Sequence, residues 1–211
     1  QMSYKNPQDG SPTYVVKFMH KEEEIEQLKT FIVDQFEKKD VEKAEHKGGE
    51  TKRKSSIIWF NDKTISGILF NAMKIAAYEA GWHYEITGHE TLQMTRYEAG
   101  DEYAWHSDGE GCAFNARSFD FEQSGDLDKT SSPGLLGSIR KLSATIVVND
   151  DYEGGHFETM VLDHGKVVKT KVDATPGSAI VFPSNTQHRI TPITKGIRYS
   201  VVVWFAGPPF K

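Results

Sequence analysis

The sequence predicts an α+β chain in which two amphipathic helices precede a β-rich remainder, a two-sheet sandwich or jelly roll. Three observations carry this. Apolar residues recur at helical spacing in two stretches before Gly81. Short apolar or alternating runs then follow to the end of the chain. Gly, Pro, Asn and Asp separate those runs. Many short strands, each with a face to bury, close most readily into two packed sheets.

Residues 1–12 (QMSYKNPQDGSP) are polar and hold two prolines, so they read as a loose arm before a single domain over 13–211. Tyr14–Phe18 is a short strand. Ile25, Leu28, Phe31, Ile32 and Phe36 then line one helical face over about 21–38. Glu22, Glu23 and Glu24 occupy the first turn, where the helix dipole favours acids. Lys38 to Lys54 reads as a charged connection around Gly48-Gly49. Its Lys52-Arg53-Lys54 run is read as a solvated loop rather than an anion site. Ile57–Phe60 is strand-like. Ile65, Ile68, Leu69, Ala72, Ile75 and Ala76 mark a second helix, stopped by Gly81. Strands are expected at Leu92–Tyr97, Leu142–Val148, His156–Met160, Lys166–Val172, Ala179–Phe182 and Tyr199–Phe205. In the clearest, Leu142, Ala144, Ile146 and Val148 alternate with Ser143, Thr145 and Val147. Residues 109–137 form a long Gly- and Asp-rich interruption that also holds Phe114, Phe119 and Phe121. Apolar groups in a polar loop need a docking surface, so this stretch is a candidate lid.

Composition narrows the function. The chain has 211 residues and a net charge of −5, which disfavours coating a nucleic-acid duplex. No apolar run approaches the ~18–20 residues of a membrane span, and no secretory signal is visible. The single cysteine, Cys112, excludes an internal disulfide, so a reducing cytoplasm is expected. Cys112 has no paired histidine motif that would make it a nucleophile. Eight histidines are the resource left for metal chemistry.

His106-Ser107-Asp108 places an imidazole and a carboxylate at i and i+2, on one side if the stretch is a strand. Alone such a triplet is weak. His188 follows 80 residues later, just past a predicted strand. Two histidines and one carboxylate on one face of a metal form the triad of non-haem Fe(II) oxygenases, with positions left open. Ten residues further, Arg198 heads the apolar strand Tyr199–Phe205. An arginine entering a barrel there is costly unless paired, and its planar fork suits a carboxylate; taken alone it reads as readily as an Arg that reaches solvent or pairs with a nearby Glu. His156 reads equally as a surface residue. His20, His46, His83, His89 and His164 have no chelating pattern.

These residues together resemble the 2-oxoglutarate- and Fe(II)-dependent dioxygenases, and within them the prolyl 4-hydroxylase-like branch with its small microbial and viral members. The likeness covers roughly Leu92 to Phe205. Tyr97 to Asp108 (YEAGDEYAWHSD) is similar to the family's Tyr-x-x-Gly-x-x-Tyr-x-x-His-x-Asp stretch. Asp151 to Phe157 (DYEGGHF) resembles its Gly-Gly turn, and Gly196 to Phe205 (GIRYSVVVWF) its last strand. Arg198 stands where collagen-type members have lysine, so it resembles the oxygen-sensing and bacterial members.

The resemblance implies a double-stranded β-helix core, a jelly roll supported by the two N-terminal helices. It implies Fe(II) on His106, Asp108 and His188 as catalytic metal ligands, with 2-oxoglutarate on Arg198, Tyr97 and Trp204. O2 is the oxidant and ascorbate a reductant. The expected reaction is hydroxylation of peptidyl proline with conversion of 2-oxoglutarate to succinate. Tyr103 is expected near the substrate entrance, with Trp105 as a further aromatic contact. Rival readings are the same chemistry on a free amino acid, a lysyl residue or an alkylated base, and a catalytically silent cupin-like metal module. The absence of a further arginine after Arg198 weighs against base repair. A module needing only a metal has no use for Arg198.

Overall fold

Both helices form where the apolar stripes fall. The computed structural model describes residues 12–39, 41–45, 52–109 and 137–209. Helix α1 spans Glu22–Lys38 and buries Leu28, Ile32 and Phe36, one residue per turn. Helix α2 spans Lys63–Ala80. The Asp62 carboxylate caps it by accepting from the Ile65 amide at 2.8 Å, and Gly81 ends it with φ 70°, a conformation glycine adopts without Cβ strain.

The strands are β1 (Tyr14–Lys17), β2 (Glu42–Glu45), β3 (Arg53–Phe60), β4 (Gly88–His89), β5 (Leu92–Tyr97), β6 (Glu102–His106) and β7 (Ile139–Val147). After them come β8 (Glu153–Gly154), β9 (Phe157–Asp163), β10 (Lys166–Lys171), β11 (Ser178–Pro183), β12 (Gln187–Ile190), β13 (Ile193–Lys195) and β14 (Arg198–Gly207). They pair antiparallel in the order β1-β11-β7-β14-β5-β3-β6-β12-β9-β10. β2 adds to β3 and β4 to β14, and β8 pairs β13 separately. Strand β3 turns the path over on itself, because Ser56–Phe60 pair β5 while Arg53 and Lys54 pair β6. The result is the jelly roll, a double-stranded β-helix with its two helices against one face.

Alternation then sorts residues into two cores. Leu92 and Met94 of β5, Leu142, Ala144 and Ile146 of β7, and Val201, Val203 and Phe205 of β14 meet Ile32, Leu69 and Ala76 of the helices. Each such large side chain contributes about 1.5–3 kcal/mol by leaving water. The residues between them face inward. Tyr97, Val147, Phe157, Ile180, Phe182, Ile190 and Ile193 pack inside the barrel.

Two β-bulges break this alternation. On β12, His188 and Ile190 lie two apart, but their partners His106 and Tyr103 on β6 lie three apart. On β7, Leu142 and Arg140 lie two apart, but their partners Phe205 and Ala206 on β14 are adjacent. An extra residue reverses which side the chain beyond it presents.

The expected elements therefore stand with some changes. The connection over 38–54 is not all loop: β2 and the start of β3 occupy much of it, and Arg53 and Lys54 are strand residues, because β2 and β6 hydrogen-bond to β3 there. β4, β6, β8, β12 and β13 add to the expected strands, and the expected strand at 156 begins at Phe157. The arm up to residue 11, and 110–136 of the candidate lid with Cys112, lie outside the described residues. No helix of the described residues is long and apolar enough to cross a membrane.

Candidate active site

His106 ends β6 and His188 on β12 stands directly opposite it. Each Nδ1 faces a backbone carbonyl: Ala104 at 2.8 Å for His106 and Thr186 at 2.9 Å for His188. A carbonyl only accepts, so each Nδ1 carries the proton and each Nε2 keeps its lone pair for a metal. Asp108 lies two residues past the strand rather than in it. Its amide donates to the Ser184 carbonyl at 2.9 Å, and its own carbonyl accepts from Arg140 Nη1 at 3.2 Å. So held, its carboxylate oxygens approach His106 Nε2 at 3.7 Å and His188 Nε2 at 3.6 Å. One ligand atom from each residue lies within 4.8 Å of the other two, and this is the one such group among the described residues.

Electrostatics prepare these groups. Burial, and then the neighbouring His188, lower the His106 pKa to about 4, so its ring is neutral near pH 7. Burial pushes the Asp108 carboxyl up, but His188, His106, Arg140 and a Ser143 hydrogen bond together outweigh it. The net shift is downward and the carboxylate is ionised. Tyr103 stacks on His106 with ring centroids 3.5 Å apart and 14° between planes. Phe157 and Phe182 pack on His188, with centroids at 5.5 and 4.6 Å.

A cavity of about 410 Å³ opens from the triad and is also lined by Tyr97, Tyr103, Arg198 and Trp204. Arg198 is only 2% exposed. Its Nη1 donates to Ser200 Oγ at 3.1 Å, while Nε has no partner. It pairs in register with Tyr97, whose ring centre is 5.7 Å from the guanidinium carbon. Gly155, at φ 60°, makes room for it: a Cβ there would fall 3.2 Å from Arg198 Cδ and 2.3 Å from Ile193 Cδ1. No acid of the described residues forms an ion pair with this buried cation, so the site is built for an incoming anion. The Trp204 indole Nε1 is likewise buried and unpaired. A dicarboxylate spanning from the triad to Arg198 fits this donor set.

Trp105 is not brought into the cavity. Alternation from the neighbouring His106 turns it to the outer face, where Arg189 and Lys169 lie 4.8 and 5.6 Å from its ring, while the bulge in β6 keeps Tyr103 on the inner side. His156 is exposed between β8 and β9. Two cavity arginines were not singled out by the sequence reading. Arg140 forms a two-bond ion pair with Glu90, one bond of 2.6 Å, and lies 4.2 Å above the Trp204 ring. Arg53 stands 4.7 Å over the Tyr103 ring. The alternation of β7 assigns Arg140 to the helix side, and only the bulge turns it inward.

Fold and site together present the two-histidine, one-carboxylate arrangement that suits a mononuclear non-haem iron centre. The chain belongs to the 2OG-Fe(II) oxygenase superfamily, whose family model matches residues 92–206. That family implies Fe(II), 2-oxoglutarate and O2, which the triad and Arg198 fit. A PKHD-type hydroxylase of Alteromonas mediterranea is 35% identical over 74 residues, 35% of this chain and 31% of the relative. The chain thus aligns with less than half the length of that curated relative. The crystal structure of a Pseudomonas putida prolyl-4-hydroxylase shares the fold at TM-score 0.62 and 19% identity, covering 94% of each chain. A Trichoplax adhaerens prolyl hydroxylase, solved with a hypoxia inducible factor peptide fragment, matches at TM-score 0.67 and 14% identity, covering 95% of this chain and 86% of that one.

Proposed function

We propose that this protein is a 2-oxoglutarate- and Fe(II)-dependent dioxygenase that hydroxylates proline within a peptide. The observation that carries the co-substrate half is the buried, acid-free Arg198 facing the triad across one cavity. The relatives named above support the prolyl half. Iron with its co-substrates supplies the oxidative chemistry: one oxygen atom of O2 enters a C–H bond, and the other converts 2-oxoglutarate to succinate and CO2.

The chain's part is binding and exclusion. His106, Asp108 and His188 would hold the metal through Nε2, a carboxylate oxygen and Nε2. Arg198 grips the far carboxylate of 2-oxoglutarate, with Tyr97 and Trp204 as the walls of its slot. Tyr97 stays a neutral phenol, because burial raises its pKa. Tyr103, with its pKa pushed up by burial to about 12, remains neutral beside the metal and presents a hydroxyl to substrate. Ascorbate would serve to keep the iron reduced.

The test is incubation of the protein with Fe(II), 2-oxoglutarate and proline-containing peptides, followed by mass spectrometry. The expected product carries one added oxygen on proline, matched by succinate release. Oxygen added to another residue type, or none despite succinate release, overturns the prolyl assignment.

A further inference from the structure

We propose that Arg53 forms a carboxylate-binding subsite beside the metal triad, selecting substrates that carry an acidic group close to the reacting residue. The inference deepens the hydroxylase reading and relies on it for the site where substrate sits.

Four cations line the cavity: Lys43 of β2, whose Nζ donates to Ser56 Oγ at 3.0 Å, and Arg53, Arg140 and Arg198. Arg140 is neutralised by Glu90. Arg198 faces the 2-oxoglutarate slot. Of the arginines Arg53 is left, and no acid of the described residues pairs with it. Neutral groups fix its fork: Nε donates to Ser55 Oγ at 3.2 Å and Nη2 to Gln93 Oε1 at 3.0 Å. The Thr95 hydroxyl in turn donates to Gln93 Oε1 at 3.3 Å. The guanidinium lies 4.7 Å over Tyr103, the ring that stacks on His106. A half-buried guanidinium, oriented by neutral partners and one aromatic ring from the metal, is set to receive an acceptor rather than to hold the fold together.

The acceptor is a carboxylate. One planar fork matches two carboxylate oxygens, whereas a phosphate chain would need several cations grouped together. A net charge of −5 also weighs against a nucleic-acid backbone. The carboxylate can come from an Asp or Glu side chain or from a peptide C-terminus.

The experiment measures peptide binding to the protein loaded with Mn(II) and N-oxalylglycine. The probes are short acetylated peptides with one central proline. An Asp or Glu is stepped along either side of it, each probe has an Asn or Gln twin, and each is made with a free and an amidated C-terminus. Wild type is expected to bind at least one carboxylate-bearing probe about tenfold tighter than its neutral twin. Arg53→Gln should erase that difference and Arg53→Lys should keep part of it, with melting temperature and Mn(II) affinity read as controls for the fold. A preference confined to the free C-termini assigns the subsite to a terminal carboxylate. Equal binding of every acidic and neutral pair, no binding by any acidic probe, or a preference that survives Arg53→Gln overturns the proposal. Replacing the central proline with alanine separates the two readings. If affinity is unchanged while the acidic preference remains, the prolyl reading fails and the subsite stands.

Discussion

Arg140 and Glu90 lie fifty residues apart and meet as a two-bond ion pair, and a third nitrogen of the same guanidinium donates to the Asp108 carbonyl at 3.2 Å. Both side chains are nearly buried, at 11% and 7% exposure. The pair therefore anchors Asp108, which no strand holds. Removing one partner leaves the other as an uncompensated charge, which typically costs about 3–5 kcal/mol. Arg140→Ala should lower the stability of the metal-free protein on that scale, read by denaturant unfolding. Glu90→Gln keeps the shape but releases the guanidinium. It should weaken metal binding about 10–100-fold, read by titration with Fe(II) or Mn(II). Unchanged metal affinity in Glu90→Gln would remove this positioning role.

His188→Ala deletes a ligand atom and leaves Phe157 and Phe182 facing a void. The variant should fold less stably by about 2–3 kcal/mol, bind iron far below one per chain, and lose turnover. Iron analysis alongside succinate release checks both. Full turnover with stoichiometric iron would show that the triad is assigned wrongly.

Arg198 separates co-substrate binding from metal binding. Arg198→Lys keeps the charge but loses the fork, and Arg198→Ala loses both. The 2-oxoglutarate KM should rise at least tenfold in the lysine variant and further in the alanine variant, at a charge-assisted bond worth about 1.5–3 kcal/mol. Mn(II) affinity should stay near wild type in each. Equal 2-oxoglutarate KM values across the series would dismiss the anchor.

Acid acts on the metal-free fold through His106. Its pKa falls to about 4 in the folded chain, mainly because burial disfavours the charged ring, against 6.5 in a free chain. Between those values the unfolded chain binds a proton that the folded chain refuses, so stability declines as pH drops from 6.5 towards 4. Asp108 adds to the loss lower down. Its carboxyl is held below the ordinary 3.8, so the stability it lends above that value disappears as pH falls through the folded pKa. Denaturant unfolding of metal-free wild type and His106→Gln across pH 4 to 7 should show a steeper acid decline in wild type. Parallel curves would contradict the shift.

Much of this architecture was legible because the residues concerned follow a simple period. The helical stripes of Leu28, Ile32 and Phe36 and of Ile65, Leu69 and Ala72, and the alternation through Ser143 and Thr145, survive in the fold because each faces one environment along its length. The triad and Arg198 were singled out from their chemistry taken together, and the fold brings them around one cavity. What stayed hidden depends on where chains pair. Arg140 is placed by a bulge, and a period of two assigns it to the wrong side. Arg53 sits in a charged run that resembles solvated loop, and its backbone pairs with Tyr103, fifty residues on. Glu90 has no signal of its own until Arg140 is known to reach it.

The strand order also governs how the chain is made. β5 and β7 do not pair; β14, the last strand described, lies between them and supplies Arg198. β1 likewise waits for β11, since Tyr14 pairs with Val181. During synthesis the apolar faces of Leu92, Met94, Leu142 and Ile146 must emerge and stay apart until their common neighbour leaves the ribosome. Such long-range pairing makes for slow folding, with exposed strand edges in the interval. The nascent chain should therefore lean on a holding chaperone, and the metal has no complete set of ligands to gather until the barrel has closed.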